Sequence, residues 1–133
     1  MSKVVLDTNV VIAAFASRGL CESVFELCLE KHNLIVSAFL LNELRNKLIQ
    51  KLKLSEKHAE EILRLYSSNS ICIEPDHLDE TVCRDPDDVL VLGTCTAGRA
   101  DFLISGDNDL LTLDKIDSFQ ILTPREFYEL QRQ

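Results

Sequence analysis

"KVVLDTNVVIAAFAS", residues 3–17, holds in one stretch the unit from which the fold is built. Val4, Val5 and Leu6 form an acid-free, mostly β-branched run of the kind that fills a strand covered on both faces. Asp7 ends the run, and Val10 to Phe15 then read as a helix. Aspartate is depleted in strands, and a carboxylate set directly after Val-Val-Leu needs partners to offset its desolvation. The chain therefore passes from strand to helix through an acid.

The same alternation continues outward. VVIAAFAS and CESVFELCLEK read as one or two helices divided near Arg18-Gly19, and LIVS (34–37) as a second strand. Ser37 then caps a helix that carries Leu41, Leu44 and Leu48 at helical spacing. Ser55 opens another helix, EKHAEEILRLY, before a third strand at 70–74. Asp85 as N-cap and Pro86 at the first helical position begin the helix of DPDDVLVLGTCTAG. A fourth strand, DFLIS (101–105), precedes a short turn or helix, DNDLLTL, and a fifth strand lies at 119–122. Thr123, Pro124 and Glu126 supply the cap, first-turn proline and capping-box pattern of a last helix. Five short apolar strands alternating with helices predict an α/β fold, a three-layer α/β/α sandwich around a parallel sheet. No repeat, low-complexity tract or linker divides the chain, so residues 1–133 are expected to form a single domain.

With 133 residues and 46% hydrophobic content, the chain can bury a core without staples. It has no apolar run near 18 residues and no signal-peptide pattern at the start, which predicts a cytoplasmic protein with no membrane partner. Cys21, Cys28, Cys72, Cys83 and Cys95 are odd in number and not closely paired, so they read as reduced packing residues.

A net charge of -8 opposes nucleic-acid binding at first sight. Its distribution alters that conclusion. Asp7, Glu43, Asp85, Asp87, Asp88, Asp107 and Asp109 all lie at or near element boundaries; setting these seven aside reduces the 22 acids to 15 against 14 bases, a balance of -1. In parallel sheets, sites collect at the carboxyl ends of strands near a topological switch point. Asp7 ends strand one, Asp107 follows strand four, Asp85 to Asp88 open the helix that feeds strand four, and Glu43 lies in the second turn after strand two. These acids are candidates for one pocket. Carboxylates so packed repel one another unless cations compensate, and hard Mg2+ or Mn2+ ions suit an all-oxygen set. A pair of such ions can clamp the attacking and leaving oxygens of a phosphodiester. His32, His58 and His77 sit in polar stretches away from the strand ends and offer no obvious alternative base.

Each acid also has a local explanation. Asp85, Asp87 and Asp88 suit any helix start, Glu43 alone reads as a solvated helix residue, and Asp107 with Asp109 suit a turn beside Gly106. Their order along the chain is what unites them. "VVLDTNVVI", "SAFLLNEL" with Glu43, "CRDPDDVLVLGTCTAGRADFLISGDNDLL" and "ILTPREF" together resemble PIN-domain proteins, specifically the toxin component of toxin-antitoxin pairs, over essentially the whole length. The resemblance implies a five-stranded parallel sheet and an Mg2+ or Mn2+ dependent ribonuclease whose products carry a 5'-phosphate and a 3'-hydroxyl. It also implies a separately encoded antitoxin partner and a homodimer.

Residue by residue, the resemblance matches Asp7, Glu43, Asp88 and Asp107 to the family's metal-binding catalytic acids. It matches Asp109 to a ligand of a second ion or its waters, and Asn9 to a polar residue orienting Asp7. Ser105 falls in its Ser/Thr-x-Asp-x-Asp stretch. Among Asp85, Asp87 and Asp88 the direct ligand is open; Asp88 is favoured because it shares a line with Val91, Leu92 and Cys95, whereas Asp85 reads better as the N-cap. Arg18, Arg45, Lys47, Arg84 and Arg99 are candidates to meet phosphates at the pocket mouth. Two rivals remain. A haloacid-dehalogenase-like phosphatase requires an aspartate two residues after Asp7, where Asn9 stands, and a later lysine, whereas none occurs between Lys57 and Lys115. A catalytically silent PIN module would bind protein or RNA without cutting it.

Overall fold

A computed structural model describes residues 1–113, 115, 116 and 119–132. β1 (Lys3–Leu6), β2 (Asn33–Val36), β3 (Ser70–Cys72), β4 (Phe102–Ile104) and β6 (Phe119–Leu122) pair in parallel in the order β3-β2-β1-β4-β6. These are the five strands the apolar runs predict. A two-residue strand, β5 (Lys115–Ile116), pairs antiparallel with β6 and was not signalled by any run. The strands are also shorter than their runs where end residues take other duties. Ser37 leaves β2 to cap the next helix, accepting from Leu40 N, and the Asp101 carboxylate accepts from Lys3 N at 2.8 Å.

Among the described residues, seven α-helices complete the fold, α1 (Thr8–Ala16), α2 (Leu20–Lys31), α3 (Ala38–Gln50), α4 (Glu56–Ser68), α5 (Pro86–Ala97), α6 (Asn108–Leu111) and α7 (Pro124–Gln131), with a 3-10 turn at Glu80–Val82. Strand side chains alternate between faces, and that alternation divides the core in two. Val4, Leu6, Leu34, Val36, Ile104 and Leu122 are buried on one face with α1, α2, α3, α4 and α7. Val5, Ile35, Leu103 and Ile121 are buried on the other, against Val91, Leu92 and Cys95 of α5 and Leu110 of α6. The result is the expected three-layer arrangement.

From β1 the chain steps outward through β2 and β3, then returns to the opposite flank of β1 for β4 and β6. The switch point therefore lies between β1 and β4. Leu6 pairs with Ile104 there, and Asp7 N donates to Ile104 O at 2.9 Å. Asp7 and Ser105 are thereby brought side by side. On the α5 face, Asp76 N donates to Gly93 O at 2.9 Å, and a Cβ on Gly93 would stand 2.4 Å from the Asp76 carbonyl oxygen. Only glycine lets the loop after β3 rest directly on the helix.

Candidate metal centre

Asp7 is the N-cap of α1, with one carboxylate oxygen accepting from Thr8 N at 2.8 Å. The other accepts from the fully buried Ser105 hydroxyl at 2.8 Å. The same hydroxyl oxygen accepts from Asp107 N at 3.0 Å, so Ser105 joins the end of β1 to the loop after β4. Asp107 in turn caps α6 by accepting from Asp109 N at 2.9 Å. Asp88, in the first turn of α5, is only 7% exposed and shares its inward line with the buried Val91, Leu92 and Cys95. Carboxylate oxygens of Asp88, Asp107 and Asp109 all lie within 4.8 Å of one another, and among the described residues no other trio of His, Cys, Asp or Glu meets that spacing. Glu43 approaches from α3 and accepts from the Thr8 hydroxyl.

Burial raises the pKa of Asp7, hydrogen bonds from Ser105 and Thr8 lower it, the charge of Glu43 raises it again, and Lys47 lowers it. Asp88 is displaced further. Burial first, then the charges of Asp107, Asp85 and Asp7, push its carboxyl up to about 7. Among the described residues a single cation, Arg84, pairs directly with the trio, its Nη2 lying 2.8 Å from Asp109 Oδ1 at an exposed position. Clustered carboxylate oxygens with so little cationic compensation are the donor set that hard divalent ions take, and the residues present fit Mg2+ or Mn2+.

Not every expected contact is made. Asn9 is exposed and accepts from Lys47 Nζ at 3.2 Å, and among the described residues no hydrogen bond joins it to Asp7. Asp7 is held at the cap while Asn9, two positions later, points outward from α1; Ser105 and the Thr8 amide hold the carboxylate instead. Asp85 caps α5 by accepting from Asp87 N at 2.9 Å, and both acids are exposed, outside the trio. Arg45 is taken by Glu60 at 2.8 Å. His32 accepts from Ser2 N and pairs with Gln131, remote from the acids. Two contacts escaped the sequence. Thr8 links α1 to Glu43, although only its neighbours Asp7 and Asn9 were singled out, and the Cys83 thiol lies 3.7 Å from Asp88 Oδ2. Burial keeps that thiol protonated and able to donate.

A family model described as "PIN domain" matches residues 3–109, a span that includes Asp7, Glu43, Asp88, Asp107 and Asp109. The fold is shared with solved structures, among them the following two. A crystal structure of VapBC2 from Rickettsia felis, bound to a DNA fragment from their promoter, aligns with a TM-score of 0.61 at 16% identity, covering 90% of this chain and 96% of that one. A 2.2 Å structure of VapBC-1 from nontypeable Haemophilus influenzae aligns with a TM-score of 0.59 at 16% identity, covering 92% and 98%. No curated protein is similar enough in sequence to match.

Proposed function

The chain belongs to the PIN-domain family, and from that premise we propose that it is a divalent-metal-dependent endoribonuclease, the toxin of a toxin-antitoxin pair. The observation that carries the reading is the meeting of Asp88, Asp107 and Asp109 beside the β1/β4 switch point, with Asp7 tied to the same edge through Ser105 and Glu43 through Thr8. In this reading Asp88, Asp107 and Asp109 hold the ions, assisted by Asp7 and Glu43. A bound Mg2+ or Mn2+ supplies an activated water and neutralises charge on the scissile phosphodiester. Ser105 fixes the aim of Asp7, and Thr8 fixes Glu43 where it can orient a water. Hydrolysis leaves a 5'-phosphate and a 3'-hydroxyl.

Resemblance to the two VapBC structures supports an antitoxin protein as partner. In the same proposal the toxin is a homodimer in the cytoplasm, with residues 1–133 as one domain. Among the described residues no helix is long and apolar enough to cross a membrane.

The test is cleavage of single-stranded RNA in millimolar Mg2+ or Mn2+. EDTA should abolish cleavage, and Asp7→Asn or Asp88→Asn should reduce it at least about a hundredfold, the scale of losing an oriented, activated nucleophile. Cleavage that survives EDTA, or that Asp88→Asn leaves intact, contradicts the reading.

A further inference from the structure

Next to the acids lies a hollow of about 460 Å³ that none of the roles above employs. Leu78, Pro86 and Leu90 give it apolar walls, and His77, Glu80 and Arg84 a polar rim. Its size is that of a small-ligand pocket. Its position ties it to the metal centre, because Arg84 also borders a second hollow of about 250 Å³ that holds Cys83 and Asp109. The Arg84 guanidinium thus stands on the boundary between the larger hollow and the clustered carboxylates. The loop that carries His77 and Leu78 is seated on α5 through the close Asp76–Gly93 contact, which anchors that side of the hollow.

A lining that combines apolar side chains with donors and acceptors matches a flat heterocycle with apolar faces and a hydrogen-bonding edge. Single-stranded RNA offers such groups, since its unstacked bases splay out and are read at their edges. Glu80 forms no ion pair or side-chain hydrogen bond among the described residues, which leaves its carboxylate free to accept. Guanine is the base whose Watson–Crick edge presents two adjacent donors, N1–H and N2–H, to one carboxylate.

Building on the ribonuclease reading, we propose that this hollow is a base-recognition subsite, which receives a guanine adjoining the phosphodiester at the acids. Glu80 accepts from the guanine edge, Leu78, Pro86 and Leu90 cover its faces, and Arg84 meets the phosphate between base and metal centre.

Two readouts test this. In EDTA, titration of guanosine and uridine followed by ligand-observed NMR should show guanosine binding about tenfold more tightly, as expected for a two-donor contact to a carboxylate. Glu80→Ala should remove that preference, and Leu90→Arg should abolish guanosine binding. Both variants should keep the wild-type thermal shift with Mn2+, which shows that fold and metal centre are intact. In Mn2+, cleavage of a mixed-sequence RNA should map beside guanines in wild type and lose that bias in Glu80→Ala. Equal binding of the two nucleosides, or guanosine binding untouched by Leu90→Arg, overturns the subsite. Cleavage without base bias overturns it too while leaving the nuclease in place. Guanosine selectivity lost in both variants, with no RNA cleavage by wild type, supports the base pocket and instead overturns the ribonuclease.

Discussion

Ser105 is fully buried, and its hydroxyl both donates to Asp7 and receives the amide of Asp107. Replacing it with alanine leaves the buried Asp7 carboxylate and the half-buried Asp107 amide each short of a partner. Ser105→Ala should therefore lower stability by about 1–3 kcal/mol and cleavage by at least about tenfold, read by denaturant melts and by RNA hydrolysis. Asp88 has the opposite character, since its charge opposes the fold when no cation is bound. The carboxyl titrates near 3.8 when unperturbed and is pushed up to about 7 in the folded protein, so the folded state holds the proton more tightly than the unfolded chain. The stability contributed by that proton is complete below the unfolded value and is lost as pH rises through about 7. In EDTA, the melting temperature of wild type should carry this loss across pH 4 to 8, and Asp88→Asn should remove it. At pH 8 the variant should melt higher by about 3 °C or more, which corresponds to relief of roughly 1 kcal/mol of like-charge repulsion. A variant that melts lower at every pH would make Asp88 an ordinary structural acceptor.

At the scale of elements, the agreement between sequence and structure has a local cause. Val4 to Leu6, Leu34 to Val36 and Phe119 to Leu122 announce strands by composition alone, and Ser37, Ser55, Asp85 and Thr123 each accept from a backbone amide at the helix start they were expected to cap. The inward aim of Asp88 was legible for the same reason, since helical spacing places it in line with Val91, Leu92 and Cys95. What was not legible depends on contacts distant in sequence. The bond from Thr8 to Glu43 spans 35 positions and the Arg84–Asp109 pair spans 25, and neither leaves a periodic trace. The two residues of β5 are too few to show a period. The contact of Asn9 with Lys47 spans 38 positions and is equally without a local trace. Gly93 gives a test at this scale. Alanine is ordinarily the better helix former by about 1 kcal/mol, but here its Cβ would collide with the Asp76 carbonyl. Gly93→Ala should therefore destabilise the protein by about 1–3 kcal/mol instead of stabilising it, as measured by urea unfolding.

Across the whole molecule, Asp88, Asp107 and Asp109 cluster at the sheet edge to which Ser105 ties Asp7 and Thr8 ties Glu43, and these five acids supply much of the net charge of -8. Such a protein gains stability from the ion that neutralises the edge. Mn2+ at about a hundred times its dissociation constant should add roughly 2.7 kcal/mol, a rise on the order of 10 °C in melting temperature, and Asp88→Asn should lose most of that gain. The same acids must be deprotonated to bind, so the shift with Mn2+ should grow as pH rises through 7. The most direct measurement is anomalous diffraction from crystals soaked in Mn2+. The convergence of acids predicts a peak among Asp88, Asp107 and Asp109, with carboxylate oxygens at about 2.1–2.2 Å, near the Asp7 and Glu43 carboxylates. A soaked crystal with no peak among those three aspartates, or with manganese only elsewhere on the surface, would contradict the metal centre on which the ribonuclease reading stands.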